Sequence, residues 1–209
     1  MTAPFLPVPI LLTVTFPPIP LLDGDGVRLR PLAERDADAL FALHSDERVM
    51  RYWSFLPWTR RQQALDHIAR LARERAFLEF YPWAATLPDS DVAIGTCTLF
   101  GVHREHARAV IGYALAPVWW GRGLGTRMLR LALDFAFDAL ELDRIEADID
   151  PLNTASCRLA ERVGFQHERP VREHRRVNGD TQNTALYALS RKDYRTRGCA
   201  AADSSAQLA

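Results

Sequence analysis

Lysine is almost missing from this chain. Of 26 basic side chains all but Lys192 are arginine, so the Gly-Lys-Ser/Thr of a Walker phosphate loop is excluded. A surplus of charge is missing too: 26 acidic side chains balance the 26 basic ones. A nucleic-acid coat domain would be basic, so that class is not expected. Cysteine is scarce and odd in number. Cys97, Cys157 and Cys199 show no paired spacing, which argues against a disulfide frame or a zinc site and reads as reduced thiols in the cytoplasm. Basic residues are absent before Arg28, although residues 4–22 are apolar. Pro4, Pro7, Pro9, Pro17, Pro18 and Pro20 interrupt that stretch, and each removes a backbone donor. Neither an export signal nor a membrane-spanning helix is expected there.

What remains is an ordinary globule. The chain has 209 residues, 48% hydrophobic and 25% charged, enough for one domain with its own core. Residues 1–22 form a proline-rich arm, with Ile10–Phe16 as a candidate edge strand. Such an arm either packs on its own sheet or reaches a second copy in a homodimer. Residues 195–209 are small and polar, and read as a flexible tail.

Between these ends the pattern reads as strands and helices. Val27–Pro31 alternates as a strand, and Asp36 opens a helix carrying Leu40, Phe41 and His44. A second helix is expected over Arg60–Phe77. Strands near Pro82–Leu87, Val92–Phe100 and Arg108–Ala116 follow as an antiparallel meander. Leu124–Leu142 carries two apolar rows and reads as a helix pressed on a sheet. Arg144–Asp150 alternates strictly, so strand, helix and strand make a crossover unit. Asn153 caps a helix that ends at Val163, with Gly164 suited to the left-handed position after it. Strands near Val171–Val177 and Thr184–Leu189 flank the hairpin signal Asn178-Gly179.

Chemistry concentrates in Tyr113–Thr126, YALAPVWWGRGLGT. A buried strand runs into Pro117, a glycine-rich turn and a helix start. Gly121, Gly123 and Gly125 let backbone approach a ligand closely. Helix-start amides and the positive dipole end make an anion site, to which Arg122 adds a charged fork. The Gly-x-Gly-x-Gly spacing after a meander does not fit the dinucleotide fingerprint.

Together with RIEADIDPLNTASCRLAERVGF at Arg144–Phe165, this segment resembles the GNAT superfamily of acetyl-CoA-dependent N-acetyltransferases. The resemblance covers about Val27 to Tyr194. It is nearest the ribosomal-protein alanine N-acetyltransferase (RimJ/RimL-type) branch. It implies a single GNAT-like α/β (α+β) domain over residues 23–194. The implied sheet is mixed and mostly antiparallel, with about seven strands and about four flanking helices. It implies acetyl-CoA as co-substrate, no metal, no direct nucleic-acid or membrane partner, and a small-molecule amine or protein N-terminus as acceptor.

The resemblance also assigns residues. The pantetheine arm pairs with main chain near Leu115, and the pyrophosphate meets the turn Gly121, Arg122, Gly123, Gly125 and Thr126. Asn153 contacts the arm, or serves only as a helix cap. Trp120 stands where the family has Gln or Arg. The usual acid, a Tyr, is replaced by Ala160, and the branch's alternative acid is Ser156. The branch's Glu-Ile-Gly-Tyr reads Val110-Ile111-Gly112-Tyr113, so its carboxylate is missing. Glu173 on a following strand is the candidate base, or else a salt-bridge partner of neighbouring arginines. Tyr52, Trp53, Trp58 and Trp83 either line the acceptor pocket or fill the core. These departures leave a catalytically weak CoA-binding module as the alternative. Arg169–Arg176 (RPVREHRR) also raises an RNA-associated reading, weakened by the neutral chain.

Overall fold

Eight strands form a single sheet in the computed structural model, which describes residues 16–75, 77–177 and 180–196, with backbone only over 169–177 and 180–183. The turn Asn178-Gly179, the tail from residue 197 and all but Phe16 of the expected strand Ile10–Phe16 lie outside the described residues. The strands are β1 (Leu22–Gly24), β2 (Val27–Pro31), β3 (Tyr81–Leu87), β4 (Ser90–His103), β5 (Arg108–Leu115), β6 (Arg144–Ile149), β7 (Gln166–Val177) and β8 (Asp180–Ser190). Their order is β1-β2-β3-β4-β5-β6-β8-β7. Neighbours are antiparallel except β5 and β6, which are parallel as the crossover pattern requires. β1 is one strand more than the sequence suggested. Its two-residue turn, Asp25-Gly26, has φ of +50° and +74°, the left-handed pair that a tight hairpin demands.

Six α-helices are present among the described residues: α1 (Ala37–Ser45), the single turn α2 (Glu47–Met50), α3 (Gln62–Glu74), α4 (Leu124–Asp134), α5 (Thr154–Val163) and a short α6 (191–196) after β8. α4 presses Met128, Leu129, Ala132 and Leu133 onto Leu29, Tyr81, Leu99 and Ile111, which makes the main core. The opposite sheet face is covered by α1 and α2, where Leu43, Val49 and Met50 meet Ala114. The helix expected to continue to Leu142 instead widens into a π-turn over Phe135–Ala139. That turn brings Phe135 edge-on to Tyr81 and Trp83 at ring distances of 5.0 and 5.5 Å. Core packing sets the pitch there, not helix propensity.

α5 ends as its sequence demands. Gly164 has φ +114°; its N–H reaches Glu161 O, and Phe165 N–H reaches Ala160 O, a Schellman closure. Phe165 folds back into the core at 2% exposure. The link from β2 to α1 is held by buried Arg30, which grips Asp36 with bonds of 2.6 and 2.8 Å.

Candidate active site

The sheet splits where β5 and β6 part. Their pairing covers only Arg108–Val110 against Arg144–Glu146, while β5 runs on to Leu115. β6 meanwhile stays paired with β8 as far as Ile149 opposite Ala185. Ala116 N–H donates to Ile94 O, so the main chain of Ala114 and Ala116 is aimed at β4. Alternation then turns the main-chain groups of Tyr113 and Leu115 towards the parted edge. Leu115 O accepts from Trp120 Nε1 at 2.6 Å.

The glycine turn closes one end of this edge. Gly121 and Gly123 have φ of +73° and +75°, and a Cβ at either would meet nothing within 4 Å. Left-handed backbone, not crowding, is what calls for glycine there. Gly125 has a different reason: a Cβ would stand 3.0 Å from Leu159 Cδ2, so it lets α4 approach α5. Thr126 N–H already donates to Gly123 O at 3.1 Å, which leaves the amides of Leu124 and Gly125 as the open start of α4. Thr126 Oγ1, in that same turn, is buried without a hydrogen-bond partner among the described residues. Arg122 lies over the Trp119 ring, 4.9 Å from its centroid. Open amides, an unpartnered hydroxyl and an arginine suit an oxyanion such as a pyrophosphate.

On the α4–α5 face, Asn153 Oδ1 caps α5 by accepting from Ser156 N at 3.1 Å. Ser156 Oγ lies 2.8 Å from Tyr113 OH. Burial pushes the Tyr113 phenol up to about 12, against a lowering bond from Ser156, so it keeps its proton at neutral pH. Tyr113 was not singled out as a site residue from the sequence. The clue was that it shares a strand face with Ile111 in VIGYAL, but its partner lies 43 residues away. Ala160, at the usual acid's position, is buried and inert, and Tyr113 supplies a phenol from the facing strand. Glu173 falls on β7, where the register with β8 shifts between Val171 and Arg175; its side chain lies outside the described residues.

A cavity of about 540 Å³ opens on the other face, under α1 and α3. Its lining includes Trp53, Phe55, Phe80 and Phe100, with Gly112 of β5 at the sheet. Trp53 thus stands where an acceptor wall was expected. Trp58 is buried in a cluster with Ala37, Leu40 and Ala64. Trp83 is fully buried; its ring stacks on Tyr81 and its indole donates to Pro20 O at 2.9 Å.

A strand that parts from its neighbour, a glycine turn opening a helix, and a hydroxyl pair beside the gap define an acyl-transfer enzyme of the acetyltransferase class. The acetyltransferase (GNAT) domain profile matches residues 27–166. The uncharacterized N-acetyltransferase p20 of Bacillus licheniformis is 31% identical over 170 residues, spanning 81% of this chain and 96% of that protein. The spermidine N(1)-acetyltransferase of Escherichia coli K12 is 27% identical, over 81% of this chain and 88% of that one. The structure of Mycobacterium smegmatis RimJ in complex with CoA-disulfide superposes with a TM-score of 0.71 at 27% identity, covering 78% of this chain and 81% of that one. The chain belongs to the GNAT family and is an N-acetyltransferase. No helix among the described residues is long and apolar enough to cross a membrane.

Proposed function

We propose that the chain transfers an acetyl group from acetyl-CoA to a primary amine, with both substrates bound together. The observation that carries this reading is the Tyr113–Ser156 hydroxyl pair beside the parted β5–β6 edge. The amides from Gly121 to Gly125, with Arg122 and the Thr126 hydroxyl, would hold the pyrophosphate. Tyr113 and Leu115 main chain and the Asn153 amide would hold the pantetheine. Bound there, acetyl-CoA supplies a thioester carbon as electrophile and a thiolate as leaving group.

The residues of the chain then have three tasks. The amine must be neutral, and an α-amine of pKa near 7.7–8.0 is about one-tenth neutral at pH 7. Glu173 assists by taking the amine's proton, directly or through water. As the C–N bond forms and the C–S bond breaks, Ser156 Oγ gives its proton to the sulfur. Tyr113, protonated across the neutral range, gives its own proton to Ser156 and is refilled from water.

The test combines Ser156→Ala, Tyr113→Phe and Glu173→Gln with the best amine from a primary-amine panel. General-acid loss should lower kcat about a hundredfold in Ser156→Ala and about tenfold in Tyr113→Phe, with acetyl-CoA affinity within twofold. Glu173→Gln should displace the acidic limb of the pH–rate profile. A Ser156→Ala turnover within threefold of wild type removes Ser156 from this role. Acetyl-CoA binding without any acceptor-dependent thiol release would favour the binding-module reading.

A further inference from the structure

The cavity under α1 and α3 carries more information than its volume. Its size is that of a small-molecule site. Trp53, Phe55, Phe80 and Phe100 supply aromatic walls. Its edge stays apolar where it meets water, with Phe55, Phe100 and Leu78 exposed at 37%, 42% and 58%. A core void would be sealed, whereas an exposed apolar rim marks a recognition surface. Gly112 places one wall on β5, next to Tyr113, beyond the last β5–β6 pair at Val110. The cavity therefore borders the parted edge from the side opposite Ser156.

The charged groups in the lining cancel one another. Glu74 accepts from Arg70 Nη1 at 2.9 Å through each of its oxygens. Glu79 is buried, accepts from Arg104 Nε at 2.8 Å and takes the Tyr81 hydroxyl at 2.6 Å. His44 and His67 add no charge. Arg70 can only donate, so His67 Nδ1, 3.1 Å from Arg70 Nη2, accepts and its ring is neutral. His44 is 4% exposed, lies against Trp58 at 4.4 Å, and is neutral because burial disfavours its charged form. An acceptor entering here meets aromatic rings and two carboxylates already committed to arginines.

We infer that this cavity selects a primary amine bearing one aromatic or bulky aliphatic group close to the nitrogen, and rejects polyamines. The inference rests on the acetyltransferase reading above and names the substrate class of that same site. A ring finds partners for its whole surface in the walls. A polyamine's remaining ammonium groups find no uncommitted carboxylate in the lining, and a buried charge needs a partner. The similarity to a spermidine N(1)-acetyltransferase thus does not extend to the acceptor.

The experiment uses the full chain with acetyl-CoA and four acceptors: phenylethylamine, phenylalaninamide, glycinamide and spermidine. Acetyl-CoA binding is measured separately by calorimetry. At least one aromatic amine should exceed both glycinamide and spermidine about tenfold or more in kcat/KM, the discrimination an apolar pocket can supply. Phenylethylamine against phenylalaninamide separates a free arylalkylamine from an amino-acid α-amine. Phe55→Ser and Phe100→Ser, both at the rim, should raise KM for the preferred aromatic amine severalfold and leave acetyl-CoA affinity unchanged. Arg70→Ala releases Glu74 and should raise kcat/KM for spermidine. Acetyl-CoA binding with spermidine preferred, or with aromatic amines no better than glycinamide, would overturn the inference alone. Absence of acetyl-CoA binding would overturn the acetyltransferase reading and this inference with it.

Discussion

Trp120 occupies the family's Gln/Arg position, and its indole N–H holds the Leu115 carbonyl. That carbonyl is one of the main-chain groups turned to the parted edge. The ring is 48% exposed, so it can leave without opening the core. Trp120→Phe keeps a ring and removes the donor. One net hydrogen bond is worth about 0.5–1.5 kcal/mol, so freeing Leu115 O should tighten acetyl-CoA binding roughly two- to tenfold. Calorimetric Kd values for the two proteins decide it. Weaker binding would mean that the indole itself is a ligand contact. Tyr113 teaches a related lesson at this scale. The sequence presented Ser156 through Asn-x-x-Ser, but a hydroxyl pair spanning two elements has no local spacing to read.

The start of α4 shows how one motif divides its work. Three glycines stand at alternate positions, and the sequence alone offers a single reason for all three. The structure gives two: left-handed backbone at Gly121 and Gly123, and close helix packing at Gly125. Gly123→Ala meets no steric obstacle and so isolates backbone strain. Left-handed conformation costs a side-chain-bearing residue about 1–2 kcal/mol, and a chain this size loses about 2–4 °C of Tm per kcal/mol. A fall of about 2–8 °C in thermal unfolding is the expected outcome; an unchanged Tm would mean the turn relaxes. Helix ends were legible where capping chemistry is local, as at Asn153 and Gly164. The end of α4 was not, because its π-turn follows from where Phe135 packs. The hairpin of β1 and β2 was written as Asp25-Gly26, but strands of three to five residues carry little periodicity.

Across the whole molecule the sheet puts the Tyr113–Ser156 pair and the aromatic cavity on opposite faces, with the gap beyond Val110 between them. The cavity side carries a stability cost in acid. His44 has its pKa lowered to about 4 by burial, below the ordinary 6.5 of the unfolded chain. The folded state therefore favours the neutral ring. The stability is intact above pH 6.5 and is lost as pH falls from 6.5 towards 4, to a total of roughly 3 kcal/mol. Unfolding measured at pH 7 and pH 5 should show a smaller acid loss in His44→Leu than in the wild type. An equal loss would place the titration elsewhere. By itself the sequence determined the crossover unit, the glycine turn, the caps of α5 and the family, because each is written in contiguous residues whose periods and turns are local physics. Only the tertiary structure decided the Tyr113–Ser156 pair, the cancelled charges of the cavity and the second purpose of Gly125. Each of these joins residues distant in the chain, and their contact depends on how the sheet parts and how the helices settle on it.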